Sequence, residues 1–219
     1  MATAKYAVGA AGLNPADYAN MAAVASSQTA MAAIAASQTA MAAVAASYVA
    51  VAAVYGSAVA VDAVKANETA WATLAGATSA VMGKAVAVLS GLNPDSYADM
   101  TAVASSSTAM TAVASSNTAR TAITNSATAK NALASSPLKK TVTKGNGNGW
   151  ENRTIRNGMG YLISCYNANS GGEAGSTWYK LDGAQTSQPA GTTNVGKFFT
   201  SSLAIYWWSS TSSVTYIPC

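Results

Sequence analysis

The sequence predicts an α-helical shaft of supercoiled ten-residue repeats, followed by a small all-β tip domain at the C-terminus. A ten-residue pattern runs without interruption from Met21 to about Thr78. Alanine, the strongest helix former and a poor strand former, is the commonest residue in it. From Trp150 onward the composition changes, and this last part holds eleven of the seventeen aromatic residues. Such a change predicts a separate, strand-rich domain.

The repeat itself reads MAAVASSQTA, MAAIAASQTA, MAAVAASYVA and onward. At about 100° per residue, a decad falls roughly 80° short of three full helical turns. The helix must therefore supercoil left-handed, overwind locally, or break into short pieces capped by Ser and Thr. A β-solenoid is the alternative, since an even period keeps each side chain on one face, but alanine disfavours it. The larger apolar residues fill the first position (Met21, Met31, Met41, Val51, Val61, Trp71) and the fourth (Val24, Ile34, Val44, Val54, Val64, Leu74).

Burial in such a shaft calls for neighbouring chains. Half of all residues are hydrophobic, but nearly half of these are alanines, which bury little area. A single helix of this kind has no core to pack into, so we expect self-association. The uncharged run between Asp17 and Asp62 indicates burial on more than one side. A membrane span within Asn20–Val61 is an alternative, although Ser, Thr and Gln interrupt the run.

The shaft is predicted to be an internal duplication. Residues 1–12 are rich in Ala and Gly and are expected to form a flexible or docking N-terminus. Helical unit 13–91 then opens with LNPADYANM, and unit 92–137 opens with LNPDSYADM at an offset of 79 residues. In each opening an Asn is suited to the N-cap and a Pro to the first helical position. At Gly91 the chain either turns back as a hairpin or kinks and continues; serial growth of a fibre favours continuation.

Residues 138–149, with their Lys, Gly and Asn, are expected to be a linker, and 150–219 a β-rich tip domain. Turn signals, among them Asp182-Gly183, separate the expected strands. The expected strands are Thr154–Ile155, Gly160–Tyr166, Thr177–Leu181, Lys197–Phe199, Leu203–Trp208 and Val214–Ile217.

The chemistry-bearing residues point away from an enzyme. The chain has no His, no phosphate-binding or dinucleotide-binding glycine motif and no zinc-ligand spacing. We therefore expect no catalytic residues, no metal and no cofactor. Glu173 and Asp182 are the candidates for a carboxylate pair of the glycosidase kind, but Asp182 is better explained by a hairpin turn. A net charge of +4 spread over 20 charged residues is too dilute for a nucleic-acid groove.

The two cysteines, Cys165 and Cys219, leave three alternatives open. They form a disulfide within the chain, they cross-link neighbouring chains, or they stay reduced with Cys165 buried.

The candidate binding residues are aromatic. Tyr206, Trp207 and Trp208 are consecutive, with Trp178 and Tyr179 as companions. Neighbours on a strand point to opposite faces, so Trp207 and Trp208 cannot enter the same core face. One of the two is expected to be exposed or at a subunit interface, where aromatic residues bind sugars or proteins. The alternative is that both are structural.

The tracts SSQTAMAAIAASQTAMAAV and SSSTAMTAVASSNTA resemble repeat tracts in tail-fibre and head-fibre proteins of tailed phages. The end of the chain, from GWENRT to VTYIPC, resembles the distal tip domain that follows such shafts. The resemblance implies a homotrimeric virion fibre that attaches to other virion proteins through its N-terminus. It implies that the tip contacts a host-surface glycan or protein.

The function expected from the sequence is therefore a non-enzymatic fibre for host attachment. It would be made in the host cytoplasm without classical export, would be located in the virion, and would have neither a nucleic-acid partner nor a membrane span. The alternative is a capsid decoration or a neck or tail assembly protein whose tip binds another virion protein.

Overall fold

The computed structural model describes residues 2–169 and 177–219, and within them the chain forms two compact units. One comprises residues 2–103 and 116–132, and the other comprises 104–115 and 133–219. The described helices are α1 (Ala2–Ala10), α2 (Met21–Ser26), α3 (Gln28–Ala36), α4 (Gln38–Ala45), α5 (Tyr48–Tyr55), α6 (Ala58–Lys65), α7 (Glu68–Ala75), α8 (Ser79–Leu89), α9 (Met100–Ser105), α10 (Ser107–Ser115), α11 (Asn117–Thr124) and α12 (Ala127–Ala134). The described strands are β1 (Lys140–Thr143), β2 (Glu151–Asn157), β3 (Gly160–Asn167), β4 (Trp178–Leu181), β5 (Ala184–Ser187), β6 (Gly191–Phe199), β7 (Ser202–Trp207) and β8 (Ser213–Pro218).

The prediction of a supercoiled helical shaft is wrong. Each decad from α3 to α7 is a separate helix of eight or nine residues, and an extended residue precedes each of these helices. That residue is the N-cap, and its side chain accepts a hydrogen bond from the backbone N–H three residues later. In a continuous helix the apolar positions would rotate by about 80° with each repeat. The break at each cap removes this rotation, because every short helix begins at the same position of the repeat. The caps are Ser27, Ser37, Ser47, Ser57 and Asn67.

The short helices pack against one another within one chain. Each helix from α1 to α5 packs on the third helix after it, and α8 packs on α11 in the same way. Consecutive helices turn sharply, by 101° between α4 and α5 and by 90° between α7 and α8. The repeat therefore winds with three helices in each turn.

The winding explains the composition of the decad. The fourth position is fully buried in all six repeats from Val24 to Leu74, and the first position is buried in five of them. The tenth position, always Ala, is also buried, with at most 2% exposure from Ala30 to Ala70. Alanine at this position lets the helices approach closely. Because this core forms within the chain, the lack of a core no longer argues for three chains, and the trimer stays a prediction.

The internal duplication is confirmed and extends further than expected. Helices α2 to α5 recur as α9 to α12 at the offset of 79 residues, and so do the short 3-10 turns Pro15–Asp17 and Pro94–Ser96. Asn14 and Asn93 cap these 3-10 turns. The α-helix of the first copy begins only at Met21, six residues after Pro15, where the sequence predicted its first residue. Helix α1 lies where a flexible or docking N-terminus was expected. It corresponds to α8 and buries Ala4, Ala7 and Val8.

The strands form two antiparallel four-stranded sheets. One has the order β1-β8-β3-β6 and the other β2-β7-β4-β5. Residues of both sheets share one hydrophobic core, which includes Leu162, Phe199, Ile205 and Trp207, as in a β-sandwich. Six strands overlap those expected, whereas β1 lies inside the expected linker and β5 was missed. The compact unit that holds the sheets also includes α10, so it is not a small all-β tip.

Candidate functional site

Alternation along β7 divides the predicted aromatic residues between two faces. Trp207 is fully buried in the sandwich core, and Ile205 and Leu203 lie on the same side. Tyr206 points the other way and is partly exposed. On the neighbouring strand β4, Tyr179 faces the core at 4% exposure, while Trp178 is partly exposed beside Tyr206.

Three rings on the outer face form a stack that we call the aromatic ladder: Trp150, Tyr206 and Trp178. The Trp150 and Tyr206 rings are nearly parallel, at 7°, with centroids 4.8 Å apart. The Trp178 and Tyr206 rings are 18° from parallel, with centroids 5.2 Å apart. These separations are close to the distance of about 4.8 Å between neighbouring strands. The rings therefore stack across the sheet from strand to strand, and both faces of Tyr206 are covered.

The two ends of the aromatic ladder differ. Trp150 is 38% exposed, and Trp208 meets it edge-on, at 62° and 5.3 Å. At the other end, the Nζ atom of Lys180 lies 4.6 Å from the centroid of the Trp178 ring. The 5.2 Å stack between Trp178 and Tyr206 leaves no room for an ammonium group. Lys180 therefore covers the face of Trp178 that is turned away from Tyr206, a cation–π contact.

Short polar residues of the edge strand β5 border this end. The register places Ser187 opposite Trp178 and Gln185 opposite Lys180. All four residues of β5 are exposed. No bulky side chain of β5 therefore stands against the outer face of Trp178, and an amide and a hydroxyl lie within reach of a molecule placed there.

The carboxylate pair considered from the sequence is not a site. Asp182 starts the two-residue hairpin turn between β4 and β5, as predicted, with a φ of +52°. Its carboxylate accepts hydrogen bonds from the backbone N–H groups of Thr200, Ser201 and Ser202. Desolvation raises the pKa of Asp182, but these bonds outweigh it and lower the pKa to about 2. Glu173 lies outside the described residues.

Charge is unevenly distributed along the chain. Residues 133–219 contain seven basic and three acidic side chains, whereas residues 1–132 contain five of each. Two of those three acids are engaged: Asp182 in its loop, and Glu151, whose Oε2 accepts a hydrogen bond from Trp207 Nε1 at 3.2 Å. The β-rich part of the chain is therefore basic.

The cysteines are free thiols and are not joined to each other. Cys165 pairs with Val214 in the ladder of β3 and β8, whereas the backbone N–H of Cys219 bonds to Met159 at the far end of β3. Six residues of strand separate the two positions, about 20 Å. A disulfide needs Cα atoms within about 7 Å, so the register excludes a bridge within the chain.

The structure thus brings together Trp178 and Tyr206, sets Trp208 against Trp150 at the other end of the aromatic ladder, and places Tyr179 and Trp207 in the core. Sequence reasoning missed Trp150 and Lys180. Trp150 stands two residues before Asn152, which pairs with Tyr206, so the signal for it was the pairing of β2 with β7. Lys180 follows Trp178 by two residues and so shares its face, a period-2 signal visible in the sequence.

The described part of the chain contains no group of three or more Cys, Asp or Glu residues placed to hold a metal ion. Within it, no single helix has the length and apolar character needed to cross a membrane, although two sharply bent helix pairs pass that test together. The sequence matches no protein-family model and no curated protein.

Proposed function

We propose that this chain is a non-enzymatic attachment protein of a virion, and that it binds a cell-surface glycan on the outer face of the β2-β7-β4-β5 sheet. The observation that carries the proposal is the aromatic ladder, whose two terminal rings, Trp150 and Trp178, each turn one face away from Tyr206. A solvent-facing group of three stacked aromatic rings has no role in the core, which lies on the opposite side of the sheet.

Sugars suit such a surface because one face of a pyranose ring is lined with C–H groups, which pack on an indole, while the hydroxyls need hydrogen-bonding partners. Asn152, Gln185 and Ser187 supply amide and hydroxyl groups on the same face. The setting on a virion rests on the resemblance of the repeat tracts to phage fibre proteins.

The test measures binding of the full chain to an array of bacterial surface polysaccharides and to intact cells. Trp178→Ala and Trp150→Ala are expected to weaken binding about tenfold or more, since each removes a stacking ring. Tyr166→Ala is the matched control, because Tyr166 is 42% exposed but lies on β3, away from the aromatic ladder. Circular dichroism and urea midpoints establish that each variant is folded.

Binding to a polysaccharide that survives Tyr166→Ala and is lost in Trp178→Ala supports the proposal. No binding to any polysaccharide, together with saturable binding to particles that lack the protein, would overturn it. That result would favour a virion assembly protein, in which the aromatic ladder is buried against another virion protein.

A further inference from the structure

We infer that the sugar bound at the Trp178 end of the aromatic ladder is acidic, and that the Lys180 ammonium binds its carboxylate. This inference rests on the proposed function, since it names the class of glycan for the same face. Lys180 Nζ lies on the outer face of Trp178, 4.6 Å from the ring centroid.

Lys180 lacks a carboxylate partner in the described part of the chain. The one salt bridge found there joins Lys84 to Asp95. The nearest acid in sequence, Asp182, directs its oxygens to Thr200, Ser201 and Ser202. A half-buried lysine on an aromatic face, with no carboxylate partner among residues 2–169 and 177–219, attracts an anion from solution.

Charge complementarity points the same way. The excess of seven basic over three acidic side chains after residue 132 favours an anionic ligand over a neutral one. Long-range attraction of this kind speeds association and weakens as salt is added.

The anion is a carboxylate and not a phosphate because the described residues of this face include one cation, Lys180. The outward positions of β2, β7, β4 and β5 that flank the aromatic ladder are Asn152, Thr154, Ala204, Lys180, Gln185 and Ser187. Arg153 pairs with Ile205, which faces the core, and Arg156 donates to the carbonyl oxygens of Met159 and Cys219. A phosphate monoester carries nearly two charges and is usually held by several donors, whereas one ammonium matches a single carboxylate.

The placement of the groups suits an acidic pyranose. The sugar ring would pack on Trp178, with its carboxylate at Lys180. Gln185, directly opposite Lys180 in the register, offers an amide to a neighbouring hydroxyl. Because the Lys180 side chain is flexible, its ammonium can move toward the edge of the ring while the sugar takes the face.

The experiment compares matched probes on the full chain: sialyllactose against lactose, polygalacturonate against neutral galactan, and mannose 6-phosphate against mannose. The acidic carboxylate probe is expected to bind about tenfold more tightly than its neutral partner, the usual effect of one charge-assisted hydrogen bond. This preference is expected to shrink when the salt concentration rises from about 0.05 M to about 0.5 M.

Lys180→Met is expected to lower the affinity for the acidic probe to that for the neutral probe. Lys180→Arg is expected to keep the preference for the acidic probe. Lys197→Met is the matched control, since Lys197 is an exposed lysine of β6 in the other sheet and its loss changes net charge equally.

Three outcomes contradict the inference while leaving the proposed function intact. These are equal binding of acidic and neutral sugars that still depends on Trp178, equal losses in Lys180→Met and Lys197→Met, and a preference for the phosphate over the carboxylate probes. Failure of every glycan to bind, on the polysaccharide array as well, contradicts the proposed function itself.

Discussion

The hydroxyl group of Ser57 donates a 2.7 Å hydrogen bond to the carbonyl oxygen of Ala25, 32 residues earlier. The same Ser57 oxygen accepts a hydrogen bond from the backbone N–H of Ala60, at 3.3 Å. One side chain thus caps its own helix, α6, and ties its start to the end of α2, four helices earlier. The second copy repeats the link, with Ser136 donating to Ala104.

Replacing Ser57 by Ala is expected to lower the free energy of unfolding by about 1–2 kcal/mol, because both the cap and the link are lost. Urea denaturation followed by circular dichroism measures the loss. Ser47→Ala is the control, since Ser47 caps the preceding helix, α5, with its hydroxyl oxygen 3.4 Å from Ala50 N. The described residues show no link of the Ser57 kind for it, so its loss is expected to be smaller. Equal losses in the two variants would argue against a stabilising role for the link.

Gly83 lies where a helix passes close to another part of the backbone. A Cβ atom at this position would overlap the backbone carbonyl group of Asp99. Gly83→Ala is therefore expected to cost about 2 kcal/mol or more, since backbone on both sides must move. Gly9→Ala is the control: it is also in a helix, and its Cβ would meet only Pro15 at 3.5 Å. There we expect no loss, or a gain of up to about 1 kcal/mol from helix propensity. Two equally stable variants would contradict the prediction.

How far the sequence determines the fold is clearest in the decads. Alanine content predicts helix, and the repeat and its 79-residue offset are visible by inspection. A break at each cap is one of the three alternatives that the ten-residue period leaves open, but the sequence does not select it, because one extended residue in ten has a local cost. Packing between helices of the same chain outweighs that cost. Ser57 shows this: its bond to Ala25 forms only after the winding has brought the two together.

The sequence likewise predicts only part of the aromatic face of the β2-β7-β4-β5 sheet. Period-2 alternation predicts that Trp207 and Trp208 point apart, and the structure places Trp207 in the core. Alternation does not say which neighbouring strands supply the stacked rings. Trp150 joins Tyr206 only because β2 pairs with β7, and that register depends on contacts between residues about 55 positions apart.

The carboxylate of Asp182 makes the free energy of unfolding depend on pH in the acidic range. Its pKa in the folded chain is about 2, below its ordinary value of 3.8. The folded state thus favours the charged form, so this contribution is present above pH 3.8 and is lost as the pH falls through about 2. Asp182→Asn keeps a residue that tolerates the positive φ but removes the charge. The wild type is expected to be more stable than the variant at pH 6, with the gap closing toward pH 2. A gap that stays constant from pH 6 to pH 2 would contradict this role for the charge.

Cys165 is expected to be unreactive in the folded chain. It is fully buried in the sandwich core, and burial raises the pKa of its thiol to about 12. Burial also raises the pKa of Cys219 to about 11, with the nearby Arg156 charge opposing the rise. Iodoacetamide at pH 8 should therefore leave Cys165 unmodified and label Cys219 slowly, whereas both react in urea. Intact mass without reductant should show two free thiols.

Burial of the Cys165 thiol also predicts that the folded chain loses stability at alkaline pH. An unfolded Cys165 ionises near pH 9, whereas the folded one holds its proton to about pH 12. The stability from the neutral thiol is therefore complete below about pH 9 and declines as the pH rises from there toward 12. Cys165→Ala is expected to unfold at lower urea at pH 8, because it leaves a small cavity, and to lose less stability than the wild type between pH 8 and pH 10.5. Rapid labelling of Cys165 in the native chain at pH 8 would show that the core around β3 opens readily, and would contradict the prediction.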